Sequence, residues 1–185
     1  GGKDYQHHYE YHQSEIASQQ WTHVVMQNYS TQPTHTGNID KHMTYGTLLY
    51  QSIVSNNPNT HVHLYQTWAR SAIHSMISGT STANTFESTD EMLNELVTNY
   101  QALADKLNVD YPSNPTVKVN PIGQAWDNAG GNLHLSDPDY IDLFADDEYH
   151  GNWLGYYLSA CVHYAAIYQS SPEGLYQTSE VASLS

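Results

Sequence analysis

Apolar residues in this chain fall into short β-branched runs separated by longer amphipathic stretches. His23-Val24-Val25-Met26, His61-Val62-His63-Leu64-Tyr65 and Thr116-Val117-Lys118-Val119 are bounded by Asn, Pro and Gly, and they read as short buried strands. Between them, Met43, Leu48, Leu49, Ile53 and Val54 share one side of a helix from about Ile39 to Ser55. Met92, Leu93, Leu96, Val97, Tyr100, Leu103, Ala104 and Leu107 recur at helical spacing from Thr89 to Asn108, behind an acidic first turn of Asp90 and Glu91. Asn56-Asn57-Pro58-Asn59 ends the first of these helices, and Asp110 to Pro115 breaks the second. A short helix is expected around Trp126, then a last one capped by Asn152 that buries Leu154, Leu158, Cys161, Val162 and Ala165. Strand and helix alternate, so the pattern predicts an α/β fold in three layers, a parallel sheet with helices on both faces.

The 185 residues suit one domain with a sizeable core. Residues 71–88 read as a Ser/Thr-rich insertion loop without periodicity, and 176–185 as a polar C-terminal tail. Five basic against nineteen acidic residues give a formal charge of -14, which argues against nucleic acid and against anionic lipid surfaces as partners. No run of ~18 apolar residues is present to span a bilayer. Strong acidity with few lysines suits a secreted, extracellular or periplasmic protein, its leader removed or lost with a preceding segment. Cys161 is the single cysteine, so no disulfide framework or Cys-based metal site is expected, and its place on the last helix reads as core. Sixteen tyrosines against two phenylalanines fit a sugar-binding cleft, a protein interface or a homo-oligomer equally well.

The candidate chemistry centres on Asp147-Glu148-Tyr149-His150. An acid three residues before a histidine lets the carboxylate brace one ring nitrogen while the other faces a cleft, which is the base half of a hydrolytic triad. Asp146 is the rival acid. The strand from His23 delivers Gln27, Asn28 and Ser30 to its carboxyl end, and the strand from His61 delivers Trp68 and Arg70. Ligands bind at that edge of an open α/β sheet. Arg70 could grip a substrate carboxylate or orient a loop, and packing serves both residues as well. Asn28-Tyr29-Ser30 is a glycosylation sequon, expected to stay unmodified because sugar there would cover the cleft. His8 and His12 share a face at i, i+4, a workable metal spacing, although a solvated amphipathic helix is the simpler reading. No metal or other cofactor is expected, and the acidic run Asp137 to Asp147 lacks a fixed calcium-loop spacing.

Several blocks occur together in order: Gly1-Gly2 with His8, Trp21 to Gln27 followed by Ser30, Leu64 to Arg70, Pro121 to Trp126, Asp147-x-x-His150 with Tyr157-Leu158-x-Ala160-Cys161, and Ser171-Pro172-Glu173-Gly174. In that order they resemble the SGNH (GDSL-like) hydrolases, in particular a bacterial branch with a flavodoxin-like sheet and an Asp-x-x-His ending. The resemblance implies a serine esterase that deacylates, above all deacetylates, a carbohydrate or small ester. It assigns Asp147 and His150 to catalysis, Gly2 and Gln27 to the oxyanion hole with Asn28 in reserve, and Ser30, Trp68 and Arg70 to substrate. The family's first block, an apolar strand running into a Gly-Asn-Ser or Gly-Asp-Ser turn that carries the nucleophile, has no counterpart here. The expected fold therefore lacks the first β-strand unit, and three readings follow: a serine esterase domain met without its nucleophile segment, a non-catalytic binding or assembly subunit on the same fold, or one half of a hydrolase completed by a second chain or segment.

Overall fold

The structure is a computed structural model and describes residues 3–79 and 85–175. Gly1, Gly2, part of the 71–88 insertion and the 176–185 tail lie outside the described residues. Three parallel strands, β1 (His23–Met26), β2 (His61–Tyr65) and β3 (Lys118–Asn120), form a sheet in the order β1-β2-β3. Val24 stands opposite Val62, Met26 opposite Leu64, and Tyr65 opposite Asn120. The helices are α1 (Tyr5–Tyr11), α2 (Gln13–Ala17), α3 (Ile39–Asn56), α4 (Thr89–Asp110), α5 (Ile122–Asn128) and α6 (Trp153–Tyr168). The fold is α/β, as the alternation predicts.

Side-chain caps start the helices where the sequence places Asp, Asn or Ser. Asp4, Asn38, Ser88 and Asn152 accept from the backbone N–H three residues on, at His7, Lys41, Glu91 and Gly155. The larger core gathers α1, α3 and α4 against β1 and β2, with Tyr5, Met26, Tyr50, Leu64, Leu96 and Leu103 at its centre. A smaller one packs Ile122, Trp126, Leu143 and Phe144 beneath α6. Each layer buries the apolar side of its elements against the sheet.

Three details differ from the pattern-based expectation. The third strand begins at Lys118, not Thr116, because Val117 exchanges both backbone hydrogen bonds with the Asn108 side chain, 2.8 Å to Oδ1 and 3.1 Å from Nδ2. The first strand is not buried throughout: only Met26 is enclosed, Val25 is 41% exposed, and among the described residues no strand pairs with the outer edge of β1. Along α6, Leu154, Leu158, Cys161, Val162 and Ala165 are only partly covered, and the fully buried positions are Gly155 and Ser159. The indole of Trp126 needs that space, and its Nε1 donates to the Ser159 hydroxyl (3.2 Å), which in turn donates to the Gly155 carbonyl (2.8 Å). Small residues, not large ones, make the buried stripe.

A Cβ at Gly155 would collide with the Leu143 carbonyl and the Trp126 ring. Gly155→Ala is therefore expected to destabilise the fold by ~1–3 kcal/mol, read as a lower urea midpoint with unchanged slope. An unaltered midpoint would mean that α6 is not seated on Trp126.

Candidate active site

The segments that leave the carboxyl ends of β1 and β2 enclose a cavity of about 630 Å³. Gln27, Asn28, Tyr29 and Ser30 come from the first, and Tyr65, Thr67, Trp68 and Arg70 from the second. Tyr149 and His150 close one side, with Tyr156 of α6, and Lys3 and His8 approach from the N-terminal helix. In a parallel sheet this edge is where strand order and connecting loops leave a crevice.

His150 is held by a tight turn. Ala145 N–H donates to the His150 carbonyl and Glu148 N–H to the Ala145 carbonyl, both at 2.9 Å, and Phe144 bridges Gly151. Glu148 sits at φ 62, a left-handed conformation that a non-glycine residue keeps only when its surroundings impose it. Its carbonyl is fixed by the Ser71 N–H at 3.1 Å. The turn brings Asp147 under the imidazole: Oδ2 lies 2.6 Å from His150 Nδ1, while Oδ1 accepts from the His150 N–H (2.9 Å) and the Tyr149 N–H (3.2 Å). Of the two adjacent acids it is Asp147, not Asp146, whose carboxylate reaches the ring. Those bonds, the His150 backbone N–H first, hold the Asp147 carboxyl down at about 2. A carboxylate on Nδ1 fixes the tautomer and leaves Nε2 to accept a proton.

The walls are aromatic. Trp68 stacks on Trp126 with centroids 4.0 Å apart and planes 1° from parallel, and its Nε1 donates to the Tyr149 carbonyl at 3.0 Å. Tyr149 in turn touches two of the site's polar side chains: its ring centroid is 4.0 Å from the His150 ring and 4.2 Å from Arg70 Cζ. Arg70 is only 5% exposed, and burial pulls its pKa downward, offset in part by Tyr29, Tyr149 and Asp147. His8 is also held below its ordinary value, first by burial and then by the neighbouring charges of His12, His7 and Lys3.

Gln27, Ser30, Trp68, Arg70 and His150 thus share one cavity, with Asp147 behind the imidazole. Gly2 lies outside the described residues. Asn28 is placed differently from an oxyanion donor: it is 1% exposed, its Oδ1 accepts from Tyr5 N–H (3.1 Å) and Tyr29 N–H (2.8 Å), and its Nδ2 donates to His42 Nδ1 (2.9 Å). Sequence reasoning passed over Lys3, Tyr29, Tyr149 and Tyr156. Two of these tyrosines lie inside the quoted motifs, and the tyrosine excess was their only signal; nothing local marks Lys3. Among the described residues the donors that cluster closely enough for a metal ion are His35, Glu91 and Glu95, within 4.8 Å of one another, where His35 Nδ1 already lies 2.6 Å from Glu95. No described helix is long and apolar enough to cross a membrane.

The fold and this edge site define an α/β domain with an acid–imidazole pair at the strand tips. No family model matches the chain, and no curated protein matches it. A crystal structure of a DUF4886 family protein from Bacteroides uniformis superposes with a TM-score of 0.60 at 18% identity, over 89% of this chain. The chain spans 60% of that protein's length, and at this identity the likeness is one of fold.

Asn28→Ala would strand the Tyr5 N–H inside the core, with the His42 ring also losing its donor, and is expected to destabilise by ~2–4 kcal/mol, whereas exposed Gln27→Ala should stay within ~0.5 kcal/mol; equal effects in urea titrations would contradict the inward role of Asn28. The bracing of Asp147 has its own signature. Its folded pKa lies below the ordinary 3.8, so the contribution of its bonds is fully present above that value and is lost as pH falls through about 2. Carbon-detected NMR should place the Asp147 midpoint near 2, and His150→Ala, which removes the imidazole and keeps the backbone N–H, should move it up only part of the way to 3.8.

Proposed function

We propose that this domain is the acid–imidazole part of a serine ester hydrolase of the SGNH type, one that removes acyl groups, acetyl first, from a carbohydrate or other small ester. The observation that carries this reading is the 2.6 Å contact between Asp147 and His150 at the rim of a cavity built on the carboxyl ends of parallel strands. In the reaction, a serine Oγ bonds to the acyl carbon while His150 Nε2 takes its proton and Asp147 keeps Nδ1 protonated. The same imidazole returns the proton to the departing alkoxide, and water then repeats the cycle on the acyl-enzyme. Gln27, exposed at the end of β1, is the side chain positioned to donate to the oxyanion. Trp68, Tyr29 and Tyr156 offer flat faces of the kind sugar rings stack on.

The serine in this reading arrives on a strand outside the described residues, from the same protein or a second chain. Among the described residues no strand pairs with the outer edge of β1, and that edge, with the exposed Val25 on it, is what such a strand would cover. That edge favours a completed hydrolase over a non-catalytic subunit, for which it would stay bare. An acidic, lysine-poor chain suits an extracellular or periplasmic setting for it.

With the protein from its natural source and an arylacetate ester, kcat/KM is expected to fall by ~10³-fold or more in His150→Ala, and by less in Asp147→Ala, which leaves the base in place. Full turnover in His150→Ala would sink the reading. Turnover by these 185 residues alone, lost in Ser30→Ala, would instead put the nucleophile inside the cavity and refute the arriving strand.

A further inference from the structure

We propose that the cavity recognises a carboxylate on its ligand, an acidic saccharide of the uronate type, through Arg70 with Lys3 beside it. The chain holds nineteen acidic and only five basic residues, yet two of the five line this one cavity. Of the others, Lys41 donates to Gln6 at 3.0 Å, Lys106 pairs with Asp110, and Lys118 lies on β3. Two cations in one cleft of an otherwise acidic chain raise the local concentration of an anionic ligand there.

Arg70 carries the argument. Its guanidinium is enclosed with Tyr29 and Tyr149 beside it, and among the described residues its Nε has no hydrogen-bond partner and no carboxylate lies within ion-pair distance of it. Burying a cation without a carboxylate partner is costly, and the Tyr149 face beneath it and the Tyr29 side chain beside it offset only part of that cost. Asp147 contributes through space without forming an ion pair, because its two oxygens are already bonded to His150 and Tyr149. A planar fork facing a cavity matches the two oxygens of a carboxylate. The aromatic walls around it, Tyr29, Trp68 and Tyr156, fit a ring with one polar edge, which joins the charge to a sugar. Since Tyr149 touches both Arg70 and His150, the anion lies one aromatic ring away from the imidazole and belongs to the non-reacting part of the ligand.

This deepens the esterase reading by naming its substrate class, but binding needs no serine, so the test uses unesterified saccharides. Calorimetry and saturation-transfer NMR with galacturonate and digalacturonate, against galactose and methyl galactoside, should show at least about tenfold tighter binding of the acidic sugars, weakened at ~0.5 M salt. Arg70→Gln should remove that preference, and Arg70→Lys, which keeps the charge without the fork, should restore only part of it. Exposed Lys3→Gln, which leaves the core untouched, should reduce it severalfold and keeps the test decisive if the Arg70 variants do not fold. Equal binding of acidic and neutral sugars, tighter binding of inorganic phosphate than of galacturonate, or an unchanged preference in a folded Arg70→Gln would overturn the proposal. A uronate preference in a protein that hydrolyses no ester would remove the esterase reading and leave this one standing.

Discussion

The site depends on a buried set of polar groups at the end of β1. Asn28 ties together α1 through Tyr5, α3 through His42, and α4 through Tyr100, whose hydroxyl accepts from the Asn28 N–H at 3.2 Å. Tyr5 adds a bond from its hydroxyl to the Met26 carbonyl (3.3 Å) and a stack on His42 with centroids 5.3 Å apart. In a low-dielectric interior each of these bonds is strong and each lost partner is expensive, so the set admits one arrangement. Burial keeps His42 neutral, its pKa lowered to about 4, which is why it can accept from the Asn28 amide. With Asn28 locked inward, its neighbours Gln27, Tyr29 and Ser30 have nowhere to go but the cavity wall.

How legible this was in the sequence varies with distance along the chain. The Asp147–His150 pair is local, three residues apart, and its spacing alone announced a brace. The strands and the two long helices follow from periodicity, because each buries a face that the sequence marks with apolar residues. Periodicity failed on α6, which is apolar nearly all round; there the buried side was set by where Trp126 needed room, a tertiary fact carried by Gly155 and Ser159. It also misplaced the start of β3, since nothing in Thr116-Val117 shows that Asn108 will occupy the backbone of Val117. Asn28 read as a cleft residue because a polar side chain after a strand usually is one. Its inward turn requires partners from three helices, and no single stretch of sequence contains them.

Charge is divided within the site. Asp147 has its negative charge met by two backbone N–H groups and an imidazole, so its effect on Arg70 stays a through-space one and no ion pair joins the two among the described residues. Arg70 rests on an aromatic face instead, and that same tyrosine leans on His150. An acid, a base and a cation therefore sit together without neutralising one another, which a chain of net charge -14 achieves by giving the acid its own backbone donors and keeping the cation enclosed.

The parallel indoles of Trp68 and Trp126 have an optical consequence. Two parallel, stacked indoles 4.0 Å apart are close enough to couple their excited states, so a shift of either ring changes the absorption and emission of both. Trp153 is exposed and Trp21 half-buried, and neither is stacked on another indole among the described residues, so both contribute a steady background. One member of the couple faces the cavity and the other carries α6. The chain thus contains its own spectroscopic gauge, reporting occupancy from one side and helix seating from the other without any added label.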